Sequence, residues 1–549
     1  MRPGDHRRDP VVAPADSDFN VDLDVDVVVI GVGFAGMFML HRLRQIGCTA
    51  TVFEAGGDVG GTWYWNRYPG ARCDVESVEY SYSFDEELQQ EWVWAERFAG
   101  QAELLRYARH VAERFDLRHD IVFDTRVAGA RFDDSSRTWS VTTGDGEQTR
   151  CRFLISAVGC LSSTNVPTIL GQDDFAGAQF HTGAWPHDGV DFTGQRVGVI
   201  GTGSSGVQAI PEIAKSAAHL TVFQRTPTYA APALNRPLLP GELDAVKAVY
   251  PALREANTLM AGAFGSRSTR GTESALDVDA GEREAEFERR WAAGGLTFLQ
   301  GFADHLTNAA SNDTAADFVR GKIASIVEDP DVAAKLAPTH IIGCKRMCID
   351  SGYYATFNRP NVTLVDLRTD PLERITEPGI RAGGVDHELD IIVYATGFDA
   401  MTGSLLKLDL RSPTTSLGEE WAAGPATYLG LGVAGMPNLF IITGPGSPSV
   451  LTNVIASIEH HVEWIAACIE TLRSDGRTRI EANPDAQQAW VAHVNAVADA
   501  TLYPTCNSWY LGANVPGKPR VFMPLPGHPP YVARCAEVAV NGYEGFTLA

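Results

Sequence analysis

The sequence predicts an α/β chain built on two nucleotide-binding units, the second interrupted by a helical insertion. Three observations predict it. A glycine loop, GVGFAG at Gly31–Gly36, follows an apolar β-branched run. A second loop, GTGSSG at Gly201–Gly206, follows another such run. Between residues 228 and 339 the strand–helix rhythm stops, and segments such as REAEFERRWAA carry helical spacing instead. Each glycine loop sits between a strand and a helix, which makes both units Rossmann-like.

A chain of 549 residues is too long for one ordinary domain. A hydrophobic share of 44% and a charged share of 21% belong to a soluble globular protein with substantial cores. The formal charge of −23 argues against nucleic acid as a partner, because phosphate binding needs an excess of Lys and Arg. It argues equally against an anionic membrane surface. Residues 1–22 mix charges and prolines without an apolar segment, so they read as a loose arm and not as a signal peptide or membrane anchor. The nine cysteines are scattered and odd in number, which disfavours a disulfide framework and fits a reducing cytoplasm. Cys344 and Cys348 lie four apart with no second pair or His cluster, so they read as structural thiols and no metal site is expected.

The first unit opens with VDVVVI at Val25–Ile30, suited to a parallel strand buried on both faces. Gly31, Gly33 and Gly36 follow at GxGxxG spacing, then a helix-like segment, then TATVFE ending in Glu54. The glycines permit a tight turn and close approach to a pyrophosphate, and the helix N-terminus favours its charge. Glu54 is placed to accept hydrogen bonds from ribose hydroxyls, which favours FAD or NAD over a 2′-phosphorylated nucleotide. Next comes GGTWYWNRYPGARCD, from Gly60 to Asp74. Gly60 and Gly61 let backbone approach a ligand, and Trp63, Tyr64, Trp65 and Tyr68 suit the side of a flat ring. Plain core packing is the alternative, but the interleaved Arg67, Arg72 and Asp74 favour a cofactor-lining loop, since charges are rarely buried unpaired.

The second unit repeats the phosphate cradle with Gly201, Gly203 and Gly206, and Ser204 and Ser205 add hydroxyl donors. Its next strand, LTVFQRTP, ends in Gln224, Arg225 and Thr226 in place of an acid. A cation and a hydroxyl there fit a 2′-phosphate, so NADPH is expected. ELDIIVYATG at Glu388–Gly397 and FIITGPG at Phe440–Gly446 read as strands returning to the first unit, the latter followed by a long helix from about Val454. Ser508–Arg520, SWYLGANVPGKPR, has the composition of a mobile loop.

Two stretches carry a family resemblance. GGTWYWNRYPGARCD matches [A/G]G-x-W-x(4)-[F/Y]-P-[G/M]-x(3)-D, and FAGAQFHTGAWP at Phe175–Pro186 matches F-x-G-x(3)-H-x(3)-W-[P/D]. Both resemble signatures of the type I Baeyer–Villiger monooxygenases, and the resemblance covers nearly the whole chain after the arm. Disulfide reductases, which share the GGT start, place a redox cysteine where Trp63 stands. The resemblance implies that NADPH reduces FAD, that O2 adds to give a peroxyflavin, and that a ketone (cyclic, aryl or steroid-like) becomes an ester or lactone. It places Gly61, Thr62, Trp63 and Tyr80 at the flavin, and Lys345 with Arg225 and Thr226 at the NADPH phosphate. It makes Arg346 and Asp74 the catalytic pair, Ser447, Val450 and Leu451 part of the substrate pocket, Trp509 a lid residue over NADP, and His181 a domain-positioning residue. A guanidinium suits such chemistry because it favours an anionic oxygen nucleophile and then an oxyanion on the adduct.

The expected layout is an FAD-binding domain over 23–165 and 388–549, an NADPH-binding domain over 166–227 and 340–387, and a helical insertion over 228–339. The competing readings are a flavin-dependent N- or S-oxygenase and a non-catalytic nucleotide-binding redox sensor. Substrate size stays open, as does the choice between monomer and dimer.

Overall fold

The computed structural model describes residues 23–549; the N-terminal arm lies outside them. Two sheets organise the chain. The first runs Asp409–Arg411, Val127–Asp133, Thr138–Thr143, Gln148–Ser156, Val25–Ile30, Ala50–Phe53, Ile121–Val122, with Leu439–Ile441 also paired to Gln148–Ser156. Val25–Ile30 is central and parallel to both neighbours, so that Val28 faces Leu154 on one side and Thr51 on the other. Its Val27, Val28 and Val29 are fully buried, as a doubly covered strand requires. The antiparallel strands 127–156 form the meander that leaves the first unit and returns to it.

The second sheet has five strands, all parallel: Val362–Asp366, His219–Gln224, Arg196–Ile200, Ile391–Tyr394 and Ala178–His181. This corrects one boundary. Ile391–Tyr394, expected in the first unit, is a central strand of the second, with Tyr394 opposite Ile200 and His181. An apolar β-branched run specifies a buried parallel strand, not which of two parallel sheets receives it. The chain crosses back only after Thr396.

Helix α1 (Phe34–Gln45) leaves the first glycine loop and helix α2 (Ser204–Ile213) leaves the second. Helix α3 (Val454–Ser474) packs across α1, burying Val462 and Ile465 in the cluster that holds Met37 and Leu40. Residues 228–339 carry five α-helices, among them Ala280–Ala293 and Ala309–Ile326. Their charges are not all a solvated face. Arg290 is buried and donates to Glu286, to the Ser268 hydroxyl and to the carbonyls of Thr269, Thr297 and Gln300. It thereby fastens the helix to the turn beside it.

Candidate active site

One cavity of about 1420 Å³ runs between the two sheets and touches both glycine loops. At each loop the first glycine has a positive φ, +96° at Gly31 and +108° at Gly201. A Cβ would sit 2.8 Å from Ala157 O at the first and 2.5 Å from Ala395 O at the second. Each loop is therefore pressed against the exit of a neighbouring strand, and only glycine fits. Gly33 and Gly203 line the cavity, as do Ser204 and Ser205. Gly36 and Gly206 sit behind it: a Cβ there would strike the carbonyl of Gly31 or Gly201 at 1.9 and 2.4 Å. Their smallness brings helix against loop, a packing role and not a contact with ligand.

Glu54 is buried at the rim of the first loop. Its carboxylate accepts from Val32 N and Gly56 N, both at 2.8 Å, and burial raises its pKa against those bonds. It holds the loop closed with lone pairs to spare for hydroxyls. Gly61 stacks on Gly33, where a Cβ would lie 2.8 Å from Gly33 Cα. Thr62, Trp63 and Tyr80 line the same wall, and Trp63 Nε1 donates to Tyr80 Oη at 3.2 Å. These residues fit a flavin dinucleotide: a phosphate cradle, an acid for ribose, and an aromatic wall beyond.

At the second loop, Arg225, Thr226 and Lys345 line the cavity. Burial lowers the Lys345 pKa, and the Arg225 charge lowers it further. His340 and Arg368 share that wall. Burial and the Lys345 charge hold the His340 imidazole down to about 4, which keeps it neutral. Such a cation pair fits the phosphate of NADPH. Sequence reading missed His340 and Arg368; the available signal was that Arg368 follows Val362–Asp366, the strand beside His219–Gln224, just past which Arg225 stands.

Between the two dinucleotide walls lies Arg346. Its Nε donates to Asp74 Oδ2 at 2.5 Å and its Nη2 to Asp74 Oδ1 at 2.9 Å, a bidentate pair across 272 residues of sequence. Nη1 donates to Val450 O at 2.8 Å. Burial opposes the charge on Arg346, but the Asp74 carboxylate outweighs it and raises the pKa. Three of five guanidinium N–H donors are thus used, and two are left for a ligand. Asp74, Arg346 and Val450 all line the cavity.

The other expected pocket residues divide. Ser447 is fully buried off the cavity and donates to Gly444 O, closing a turn; this corrects its expected place in the pocket wall. A serine in a glycine-rich loop serves the turn as readily as a ligand. Leu451 is likewise off the cavity wall, a second correction, and packs against the apolar cluster of Tyr510, Phe522 and Met523, which Tyr503 and Trp509 also cover. Trp509 lines the cavity, with its ring centroid 4.3 Å from that of Tyr510. The glycine-rich segment after it is docked over the cavity: Asn514 Nδ2 donates to Phe398 O, and Lys518 Nζ to Asp399 Oδ1 and Ala400 O.

His181 ends its strand away from the cavity wall. Its Nδ1 accepts from Gly183 N at 3.0 Å, its Nε2 lies 3.3 Å from Thr396 Oγ1, and burial lowers its pKa to about 4. It is a neutral link between the crossing segments. Cys344 forms a disulfide with Cys506, which corrects the reading of Cys344 as a free structural thiol; Cys348 is free and buried. Counting cysteines reads parity, not proximity, and these two are 162 residues apart. The bond ties the segment bearing Arg346 to the one leading into Trp509.

Comparison with known proteins agrees in kind. A family model described as pyridine nucleotide-disulphide oxidoreductase matches residues 28–247. A Baeyer–Villiger monooxygenase of Pseudooceanicola batsensis is 44% identical over 90% of each chain. A phenazine N-monooxygenase of Lysobacter antibioticus is 41% identical over 94% of this chain and 96% of its own. Among solved structures, an oxidised steroid monooxygenase bound to NADP is 51% identical, with a TM-score of 0.91 over 95% of this chain and 99% of its own. On this likeness, which spans nearly the whole length of both partners, the chain belongs to the type I Baeyer–Villiger monooxygenases.

Proposed function

We propose that this chain converts apolar ketones to esters or lactones, with Arg346 and Asp74 as its catalytic pair. The protein uses FAD and NADPH. The overall balance is ketone + O2 + NADPH + H+ → ester + NADP+ + H2O. Bound FAD, once reduced by NADPH, supplies the nucleophilic oxygen from O2. The observation that carries the assignment is the Arg346–Asp74 pair, set in the cavity between the two dinucleotide walls.

Arg346 serves as a fixed cation there. It favours an anionic oxygen over a protonated one, and its free N–H donors then receive the negative charge that develops on the former carbonyl oxygen. Asp74 fixes the plane of the guanidinium through two bonds, and Val450 O fixes its tilt through a third. Gly31, Gly33, Glu54, Gly61, Thr62, Trp63 and Tyr80 hold the flavin nucleotide. Gly201, Gly203, Ser204, Ser205, Arg225, Thr226 and Lys345 hold NADPH, and Trp509 covers it. Val450 offers the ketone an apolar surface on the cavity wall, and Leu451, Tyr503, Tyr510 and Phe522 back it from the cluster behind. The boundary between the two nucleotide domains falls after Thr396, with 228–339 as an insertion in the second and His181 positioning the two. A need for NADPH supports a cytoplasmic site of action.

The phenazine N-monooxygenase relative supports nitrogen oxygenation as a second reading. A product-scored panel of cyclic, aryl and steroid ketones beside amines and sulfides separates the two. Esters or lactones as the main products support the ketone reading. N-oxides with ketones untouched overturn it.

A further inference from the structure

Helix α2 does more than present a phosphate cradle. One turn past Ser204 and Ser205, Gln208 reaches out of the second nucleotide unit and grips a loop of the first. Its Oε1 accepts from Tyr68 Oη at 2.7 Å and from Arg72 N at 3.4 Å, and its Nε2 donates to Arg72 O at 3.1 Å. The loop lies on the helix itself: a Cβ on Gly70, whose φ is +80°, would be 2.3 Å from Gln208 O. Tyr68 and Ala71 are buried in the core of the second sheet, in one cluster with Val197, Val207 and Ile210. Residues 68–72 are therefore part of the first unit in sequence and of the second in packing.

Asp74 follows two residues later, within ~7 Å of chain from Arg72. The other partner is anchored to the same helix. Cys348, two residues after Arg346, is buried and opens the short strand Cys348–Asp350, which packs on α2. Both arms of the Arg346–Asp74 pair thus end on one short helix, whose first turn, with Ser204 and Ser205, lines the cavity.

We propose that Gln208 is a positioning residue that couples dinucleotide phosphate at the start of α2 to the alignment of Asp74 with Arg346. A helix moves as a rod, so a ligand that fixes its first turn also fixes Gln208, the loop it grips, and the carboxylate beyond. With α2 unfixed, Asp74 is held less firmly against the guanidinium. The consequence is economy of oxygen: the pair is most rigid when NADP is seated. This inference rests on the roles assigned above to Asp74 and Arg346, but its primary test reads no product, so the two fail separately.

The test is amide hydrogen exchange on the FAD-loaded enzyme with and without NADP+. In the wild type, NADP+ protects peptides covering 204–210 and also those covering 68–76. In Gln208→Leu, protection at 204–210 persists while the added protection at 68–76 falls by roughly two- to thirtyfold. Gln208→Glu, which keeps the two acceptor bonds, is intermediate. Tyr68→Phe removes one hydroxyl only and carries the same test if Gln208→Leu fails to fold; combined with Gln208→Leu it adds less than its own effect. In turnover, Gln208→Leu releases a larger share of electrons as peroxide at a near-normal KM for NADPH, whereas a merely structural loss lowers all rates together. No NADP+ protection at 68–76 in the wild type, or wild-type protection and peroxide share in Gln208→Leu, overturns the proposal.

Discussion

Arg346 and Asp74 meet through two hydrogen bonds, Nε to Oδ2 at 2.5 Å and Nη2 to Oδ1 at 2.9 Å. Only Arg supplies that planar fork, because a Lys at 346 would be a point charge free to rotate away. Asp74→Asn keeps the shape and removes the charge. Rapid mixing should find FAD reduction by NADPH nearly unchanged and ester formation slowed by roughly a hundredfold, the usual loss when a charge-stabilising group is disarmed. Equal loss in both half-reactions would point to general damage.

Lys345 and Arg225 line one cavity, and the charge of Arg225 helps lower the Lys345 pKa. Lys345→Ala should raise the KM for NADPH by roughly ten- to a hundredfold, the worth of one charge-assisted hydrogen bond, and leave the KM for NADH almost unmoved. Steady-state rates with the two cofactors check this.

His181 gives a pH signature. Burial lowers its pKa to about 4 from an ordinary 6.5. Between those values the unfolded chain binds a proton that the folded chain refuses. The stability due to this site is therefore whole above about 6.5 and is lost as pH falls toward about 4, by ~3 kcal/mol in all. His181→Asn keeps an acceptor for Gly183 N and does not titrate. Denaturant unfolding across that range should show a shallower pH slope in the variant than in the wild type.

Cys344 and Cys506 are joined, and the seven other cysteines are free. Unfolded, unreduced protein should take seven alkyl groups by intact mass, and nine after reduction. Because the bond closes a long loop, Cys506→Ser should cost about 2–5 kcal/mol of stability. It should also increase peroxide release, since the segment after Trp509 is then held over the cavity by contacts such as Lys518 to Asp399 alone.

Much of this was legible because it is local. A strand, a glycine loop, a helix and an acid in sequence order, as in Val25–Glu54, dictate their own geometry through backbone space and helix-end charge. The loop from Gly60 to Asp74 was legible as a site because its aromatics and charges suit no ordinary core. What failed was decided by distant partners. Ile391–Tyr394 carries the pattern of any buried parallel strand, and only pairing with Arg196–Ile200 assigns it to the second sheet. Ser447 has the same composition signal whether it faces a ligand or closes a turn. Cys344 carries no mark of Cys506. Gln208 shares the polar side of its helix with Ser204, Ser205 and Glu212, and its meaning appears only when Tyr68 and Arg72 are laid against it.

The central claim is that the guanidinium of Arg346 lets oxygen pass to a ketone. A single turnover under 18O2, with NADPH and a ketone taken from the panel, tests it most directly by product mass. The wild type should place one labelled oxygen in the ester or lactone. Arg346→Ala should consume NADPH and O2, return the ketone unlabelled, and release the label as peroxide. Labelled ester from Arg346→Ala at the wild-type yield would contradict the account.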